Sequence, residues 1–468
     1  MKKFAPGLLL VTLLCVTAFA QNAQVQATQD RDALPNNFLI GKHVKYSHPA
    51  PGGPHAAQKH ALAAASALSN TTTTTHTFPP GVDTLVNFVG NYSEPGINFN
   101  GKSNDHWHFS IVGNPPTISK TTVINAPVVP VTIDMLNADG TPRSVITNSN
   151  NCRRCTPSEL GKTVRLLYTP QPFIKPFLAS PVFGMSTYTS SDTPTQITDA
   201  IQKAEFGDFA RPGWHTLLQP SLKTARRMAL IGGTYFFALN DNGSCCAFVL
   251  VSDTTFSDEL FPNTAPPDNS TVLGQAEVAG DITTKDISTF FFPNVYLFLN
   301  NNPNDCCVLG FHTFDVEPGD ASNGNQTRFF VMNYSSWISP GLFASPTCAV
   351  NDPDNCFQDV TAHSHEVAEI FNDPFVGFDN IHNITPFWLN PAGQCQDIME
   401  VGDVIEDLHN PTFPVTINGF AYHPQTEALL PWFEFKSPSF AVHGAYSYPG
   451  ETVLTALSAQ QPFACAGK

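Results

Sequence analysis

The chain has little charge: only 13% of its 468 residues are Asp, Glu, Lys or Arg, about half of the usual ~25%. That scarcity argues against a coiled coil, while the 42% hydrophobic and 11% aromatic content argues against a mainly disordered chain. Basic residues are fewer than acidic ones, with 23 Lys and Arg against 39 Asp and Glu, and the basic residues form no cluster in the sequence. An acidic surface repels phosphate backbones, so nucleic acid is not expected as a partner.

Long apolar runs are also missing after the first 20 residues. Met1–Ala20 begins with two lysines, continues with an apolar run over 7–16, and ends with Ala18 and Ala20 in an A-x-A arrangement. This pattern is typical of a secretory signal peptide, and its apolar run is shorter than the ~20 residues that span a bilayer. We therefore expect a secreted, periplasmic or extracellular protein that has no membrane span once the signal peptide is removed.

Removal of the signal peptide, which contains one of the 11 cysteines, leaves an even number of cysteines. An even number of cysteines in an exported protein predicts disulfides. We expect the pairs Cys245-Cys246 and Cys306-Cys307 to cross-link to each other, since each begins an apolar strand. Cys348 and Cys356 flank a turn-rich loop that a bridge could close. The disulfide candidates are Cys152, Cys155, Cys245, Cys246, Cys306, Cys307, Cys348, Cys356, Cys395 and Cys465. A zinc knuckle that included Cys152 and Cys155 would need a second C-x-x-C motif, which the sequence lacks.

Composition divides the remaining chain into three parts. Residues 21–80 are rich in Ala, Gln, Ser and Thr and poor in large apolar side chains, which indicates a low-complexity leader or linker. Residues 81–175 carry short apolar runs separated by Pro, Gly and Asn, the pattern of a strand-rich region. Residues 176–468 add helices to such strands. The chain as a whole is therefore predicted to be α+β.

Periodicity and turn residues predict individual elements in the larger part. The predicted helices are Thr195–Phe206 and Asp359–Asn372. The predicted strands are Thr234–Leu239 paired with Cys246–Val251, Val295–Leu299 paired with Cys307–Phe311, and Arg328–Asn333.

The second predicted helix carries the residues most suited to chemistry. His365 and Glu369 are four apart, so they share one helix face and could hold one metal ion, with Glu366 beside them. This is the geometry of H-E-x-x-H, in which the intervening Glu is the general base for a metal-bound water. The second ligand here is Glu, which zinc accepts, although an added carboxylate favours harder ions such as Mn²⁺ or Ca²⁺. The alternative interpretation is a solvated His/Glu ion pair.

A second acidic motif supplies a third ligand. Glu400, in a Glu-Val-Gly-Asp segment, lies 31 residues after Glu369, far enough for a loop to return to the helix. We predict Glu400 as the third ligand, with Asp403 and Asp373 orienting the ligands by hydrogen bonding. An acidic surface turn is the competing interpretation. His423 is the alternative third ligand, and His312 and His443 rank behind it.

These motifs carry a resemblance to a family. His-Glu-x-x-Glu-x-x-x-Asp-Pro followed by Glu-x-Gly-Asp resembles the pattern in Exordium-like (phosphate-induced) secreted proteins and in related uncharacterised bacterial exported proteins. The resemblance covers about residues 365–403, and it departs from the family in that Cys395 precedes the acidic segment instead of following it. It implies a zincin-like domain over 176–468 with an active-site helix, which disulfides would stabilise.

Two functions from different classes follow from these residues. The first is a metal-dependent peptidase with His365, Glu369 and Glu400 as ligands, Glu366 as general base, and a peptide or protein as substrate; Zn²⁺ is the expected ion. The second is a non-catalytic extracellular or wall-associated binding protein with a structural ion such as Ca²⁺. Its oxygen ligands would come from Asp373, Asp379, Asp397, Asp403 and Glu406.

Overall fold

The computed structural model describes the main part of the chain with several gaps. The described residues are 32, 81–93, 106–147, 157–189, 193–239, 246–262, 269–344, 356–376, 384–389, 395–406 and 408–457. The predicted signal peptide and nearly all of the predicted leader lie outside them. So do Asp379 and five of the ten cysteines that follow the predicted signal peptide: Cys152, Cys155, Cys245, Cys348 and Cys465.

Both strands and helices are present, with strands the more numerous. The helices are α1 (Ile174–Leu178), α2 (Ile197–Phe206), α3 (Asp253–Leu260), α4 (Val272–Val278), α5 (Thr361–Asn372) and α6 (Leu430–Phe433). The strands up to the first long helix are β1 (Val82–Asp83), β2 (Asn87–Ser93), β3 (His106–Val112), β4 (Thr121–Met135), β5 (Ser144–Ile146), β6 (Thr163–Arg165) and β7 (Leu167–Tyr168). Between α2 and α5 lie β8 (His215–Leu222), β9 (Arg226–Leu230), β10 (Tyr235–Leu239), β11 (Ala247–Ser252), β12 (Ser288–Pro293), β13 (Val295–Phe298), β14 (Cys306–Val308), β15 (Gly310–Glu317), β16 (Thr327–Ala344) and β17 (Cys356–Asp359). The last strands are β18 (Ile384–Leu389), β19 (Cys395–Ile398), β20 (Val415–Ile417), β21 (Phe420–Tyr422), β22 (Glu427–Ala428) and β23 (Ser447–Tyr448).

The main sheet has nine strands and is built around two long ones. Its order is β1-β16-β12-β4-β7, with β15 and β17 also paired to β16, and β8 and β9 also paired to β4. Strand β4 is rich in Val and Ile, which suits a strand buried on both faces. Because β4 lies before the predicted boundary at 175/176 and β12 lies after it, that boundary does not separate two sheets.

A second sheet of four strands, β10-β11-β13-β14, lies beside the first. Its β10–β11 and β13–β14 pairs are antiparallel, with Phe237 opposite Val249 and Leu297 opposite Val308, so both predicted hairpin pairings are confirmed. The predicted bounds differ from the observed ones by one residue at most, except that the predicted strand Cys307–Phe311 runs past the end of β14 at Val308, so that Gly310 and Phe311 belong to β15 of the main sheet. The apolar runs themselves thus located these strands.

Helix α5 packs on β15 and β16 of the main sheet and is buried along its whole length. It begins at Thr361, two residues after the predicted start, because Asp359 has a positive φ of 45° that a right-handed helix does not admit. The Asp359 carboxylate accepts hydrogen bonds from the backbone N–H groups of Val360 and His423 instead. Val367, Ile370 and other apolar residues of α5 join the largest core cluster.

The cysteine arrangement differs from the prediction. Cys306 and Cys307 form a disulfide with each other across a cis peptide bond, so the predicted cross-link from this pair to Cys245-Cys246 is wrong for these two residues. Cys246 is also in a disulfide. Among the helices that the structure describes, none is both long enough and apolar enough to cross a membrane.

Candidate metal centre

Helix α5 places His365 and Glu369 one turn apart on the same face, as predicted. His365 Nε2 lies 3.2 Å from Glu369 Oε2, and neither side chain is exposed to solvent. The helix ends after Asn372, and Pro374 cannot continue it since it lacks a backbone N–H. The i, i+4 spacing is therefore realised in a buried ion pair, and the alternative of a solvated pair on an exposed face is wrong.

Strand β15 brings His312 to this pair. His312 Nδ1 lies 3.3 Å from Glu366 Oε2 and 3.3 Å from Glu369 Oε2. On its other side, His312 Nε2 lies 3.2 Å from the Asp373 carbonyl oxygen and 3.9 Å from Glu400 Oε2. The sequence ranked His312 behind His423, yet it is the residue that contacts most of the group. Only the alternation of apolar residues around it along the strand hinted at a buried position.

The loop that carries Glu400 returns to the helix as predicted. The backbone N–H groups of Gly402 and Asp403 point at Glu369 Oε1, at 3.1 and 3.3 Å. Asp403 Oδ1 lies 3.5 Å from His365 Nε2, and the Asp373 carboxylate accepts a hydrogen bond from the Met399 N–H. Asp403 thus contacts the ligand candidate His365, whereas the Asp373 carboxylate contacts the backbone next to Glu400. Glu400 is 1% exposed, so it is not part of an acidic surface turn.

Two glycines make room for the cluster. A Cβ atom at Gly402 would overlap the imidazole of His365, and one at Gly310 would lie 2.7 Å from Glu366 Oε1. Both positions therefore admit no side chain unless a residue of the cluster moves.

The donor atoms form two groups of three that share Glu369. One group is His365, Glu366 and Glu369; the other is His312, Glu369 and Glu400, and the donor atoms within each group lie within 4.8 Å of one another. Ligand atoms about 2.1 Å from a tetrahedrally bound ion are about 3.4 Å apart, close to the 3.2–3.3 Å contacts that His365 and His312 make with Glu369. These buried groups could hold a metal ion.

Unpartnered oxygens support the same fit. Neither oxygen of Glu400 has a hydrogen-bond donor among the described residues, and the same holds for Glu366 Oε1. Leaving a buried carboxylate without a donor or a cation is costly, because burial removes its hydration. The arrangement therefore suits a cation better than a purely hydrogen-bonded network.

The charges of the cluster are strongly coupled. Burial raises the pKa of Glu366 to about 7, even though His312 opposes the shift. Burial would also raise the pKa of Glu369, but the adjacent His365 and His312 outweigh it and lower that pKa. Burial disfavours the charged form of both histidines. Glu400 nevertheless raises the pKa of His312 well above its ordinary value, and Glu369 does the same for His365. The two imidazoles thus keep Glu369 charged.

The structure places the alternative ligand His423 elsewhere. Its Nδ1 lies 2.7 Å from Asp359 Oδ2 and its Nε2 lies 3.2 Å from Gln358 Nε2, in the segment that precedes α5. His443 pairs with Glu451 at the surface. Neither histidine is brought into the metal-binding groups.

Glu427, which the sequence did not single out, also lies close to the centre. A hydrogen bond from the Ala428 N–H to the Val401 carbonyl holds β22 against the loop after Glu400. Glu427 is fully buried, and neither of its oxygens has a donor within the described part of the chain. Burial raises its pKa well above the ordinary value, while His365 opposes the shift. Its position depends on a long-range pairing that no local pattern reveals.

No protein family model, curated protein or solved structure matches this chain. The Exordium-like resemblance therefore remains a prediction from residues 365–403. Of the oxygen ligands in the alternative calcium interpretation, Asp373 and Asp403 lie in the centre and Glu406 is buried, whereas Asp379 and the Asp397 side chain lie outside the described residues.

Proposed function

We propose that this protein is an exported, zincin-like, metal-dependent hydrolase with peptides as substrates. The observation that supports it best is the buried group of His365, Glu369, Glu400 and His312, whose donor atoms converge from a helix, a strand and a loop. A peptide substrate and a secreted location rest on the helix motif and on the N-terminal segment. Disulfides would stabilise the protein outside the cell.

Zn²⁺ is the ion that we propose for the centre. Two imidazoles suit Zn²⁺. Three protein ligands from His312, His365, Glu369 and Glu400 would leave the fourth position to water, as hydrolysis requires, whereas all four would close the site. The carboxylate ligands alone would favour the harder ions Mn²⁺ or Ca²⁺, so the two imidazoles are the reason for proposing Zn²⁺. In its hydrolytic role, the bound ion would polarise the substrate carbonyl and lower the pKa of water.

Glu366 is the proposed general base. Its carboxyl group lies next to the ligands, and its pKa near 7 matches the pH at which a base must both accept and return a proton. Glu366 would take the proton from the attacking water and pass it to the leaving amine. Glu366 Oε2 lies 3.3 Å from His312 Nδ1, so the proposed base would lie directly beside a ligand atom of the ion.

One observation favours a second candidate function, a structural ion in a non-catalytic binding protein. His365, Glu366 and Glu369 are 0% exposed, and His312 and Glu400 are 1–2% exposed. A catalytic ion needs an open position that the substrate reaches. Complete enclosure would suit an ion that only stabilises the fold.

Metal analysis together with one isosteric variant separates these functions. Elemental analysis of the dialysed protein should find about one Zn²⁺ per chain, and Glu366→Gln should keep it, since Glu366 is the base and not a required ligand. Peptide cleavage by Glu366→Gln should fall about 10²–10⁴-fold. Glu451→Gln, at the surface pair with His443, is the matched control and should cleave like the wild type.

Two results would contradict the hydrolase proposal. If the metal-loaded wild type cleaves nothing in a broad peptide library, the enclosed centre is structural. If Glu366→Gln cleaves as fast as the wild type, the chemistry lies elsewhere in the protein.

A further inference from the structure

Strand β15 carries a second cluster of ionisable side chains on the face opposite His312. Side chains alternate along a strand, so Phe311, Asp315 and Glu317 share one face while His312 and Phe314 share the other. The core clusters agree with this division. Phe314 packs in the cluster that contains Val367 of α5, whereas Phe311 packs in the cluster that contains Ala276 of α4.

Helix α4 completes the cluster with Glu277. Ligand oxygens of Glu277, Asp315 and Glu317 lie within 4.8 Å of one another. Asp315 is 2% exposed and Glu317 3% exposed, and both carboxylate oxygens of Glu277 are buried as well. The three ligand groups therefore form an enclosed acidic cluster.

The buried oxygens of this cluster lack donors. Both oxygens of Glu277, Asp315 Oδ2 and Glu317 Oε2 have no hydrogen-bond donor in the part of the chain that the structure describes. The cation placed nearest by the strand register is Arg328, opposite Glu317, and its guanidinium is 2.6 Å from Asp320. One shared guanidinium cannot neutralise three carboxylates. Burial accordingly raises the pKa of Glu277 to about 10, of Glu317 to about 7 and of Asp315 to about 6.

We propose that Glu277, Asp315 and Glu317 form a second metal site, distinct from the centre on α5, that binds a hard divalent cation. The ligand set contains oxygen alone, with no imidazole or thiolate, which favours Ca²⁺, Mg²⁺ or Mn²⁺ over Zn²⁺. Ca²⁺ is the first expectation, because its large and flexible coordination shell tolerates three carboxylates and takes its remaining oxygens from water. The competing explanation is that the three carboxyl groups are protonated and share their protons without a metal.

Calcium titration of the Zn²⁺-loaded full-length protein tests this site. Isothermal calorimetry should show one saturable Ca²⁺ site, and Ca²⁺ should raise the melting temperature, because a ligand that binds only the folded state stabilises it. Asp315→Asn should weaken Ca²⁺ binding at least tenfold and abolish the rise in melting temperature. Glu277→Gln, on α4 and not on β15, provides a second variant and should weaken binding in the same direction.

Two controls separate this site from the centre on α5. His365→Ala should lose Zn²⁺ but keep the Ca²⁺ site, and Glu205→Gln, a buried carboxyl group on α2, should keep both metals. The proposal is overturned if Ca²⁺, Mg²⁺ and Mn²⁺ all fail to bind the Zn²⁺-loaded wild type. It is also overturned if Ca²⁺ binding survives in Asp315→Asn and Glu277→Gln, or is lost in His365→Ala.

Discussion

Both faces of strand β15 hold buried carboxylates, and Glu369 differs from its neighbours Glu366 and Glu400 in the direction of its pKa shift. On the helix side, Glu369 lies between two imidazoles and its pKa is lowered. On the other side, no imidazole of the described residues contributes to the pKa shifts of Glu277 and Asp315, and burial raises the pKa of both. Both clusters are buried, so burial alone does not decide the charge of a carboxyl group in this protein.

The difference shows what histidine contributes to a carboxylate-rich site. A buried carboxylate remains charged only where a cation compensates the lost hydration. His312 and His365 provide such compensation for Glu369 even without a metal ion, whereas burial still raises the pKa of Glu366 and of Glu400. Among the described residues, the strand register places Arg328 beside Glu317, and its guanidinium is shared with Asp320. A bound cation or bound protons must therefore complete the compensation in this cluster.

The largest expected effect comes from removing that compensation at His312. His312→Ala leaves Glu366, Glu369 and Glu400 without their common imidazole, so we expect the free energy of unfolding to fall by about 3–5 kcal/mol. Metal affinity should fall by more than ~100-fold, beyond the loss typical of residues that only support a ligand. Urea unfolding and elemental analysis measure the two effects.

His423→Ala is the matched control for this change. His423 contacts Asp359 and Gln358 outside the centre, so its removal should cost about 1–2 kcal/mol and leave the metal content unchanged. If His423→Ala lost the metal while His312→Ala kept it, the ligand set inferred from the structure would be wrong.

Much of the centre was predictable because it depends on local spacing. His365 and Glu369 are one helical turn apart, and helix periodicity alone brings them together. Glu400 was predicted from its separation from Glu369, and the structure places it beside His312. The predicted hairpin pairings were confirmed for the same reason, since adjacent apolar runs usually pair.

What the sequence could not reveal depends on long-range strand pairing. His312 reaches Glu369 because β15 pairs with β16 and α5 packs across both strands, and no local pattern specifies that packing. Glu427 and the partnership of Glu277 with Asp315 are hidden for the same reason. The main sheet extends across the predicted boundary at 175/176, because β4 pairs in parallel with β12, more than 150 residues further along the chain.

A buried carboxyl group without an imidazole offers a further test of the comparison. Glu205 on α2 is 0% exposed, and burial raises its pKa to about 8, although a hydrogen bond from the Leu430 N–H opposes the shift. Because this pKa is higher in the folded than in the unfolded chain, the stabilisation is complete below about pH 4.5 and is lost as the pH rises through 8.

Glu205→Gln should therefore flatten the loss of stability with rising pH. Between pH 5 and pH 7 the wild type should lose about 2–3 kcal/mol that the variant keeps, at ~1.4 kcal/mol per pH unit. Urea unfolding at several pH values measures the difference. Asp208→Asn, an exposed carboxyl group three residues further on, is the control and should follow the wild type. Equal slopes for Glu205→Gln and wild type would mean that Glu205 is charged in the folded protein.

The smallest expected effect concerns His363, which lies two residues from His365 but in an apolar environment. Its ring is 4.5 Å from that of Phe177 and 5.4 Å from that of Phe183, measured between centroids. Burial lowers its pKa to about 3, so it is neutral at pH 7. The Ser335 hydroxyl donates to Asn333 Oδ1, which leaves its oxygen to accept a hydrogen bond from His363 Nδ1 at 3.3 Å.

His363→Leu should accordingly leave the metal centre intact. The change removes one neutral hydrogen bond but also a ring nitrogen, Nε2, that has no partner among the described residues, so the free energy of unfolding at pH 7 should change by less than about 1 kcal/mol. The metal content should stay at the wild-type value. His365→Leu, the same substitution two residues along the helix, should lose the metal, because that imidazole faces Glu369. If both variants kept the metal, or both lost it, the division of α5 into a metal-binding face and an aromatic face would be wrong.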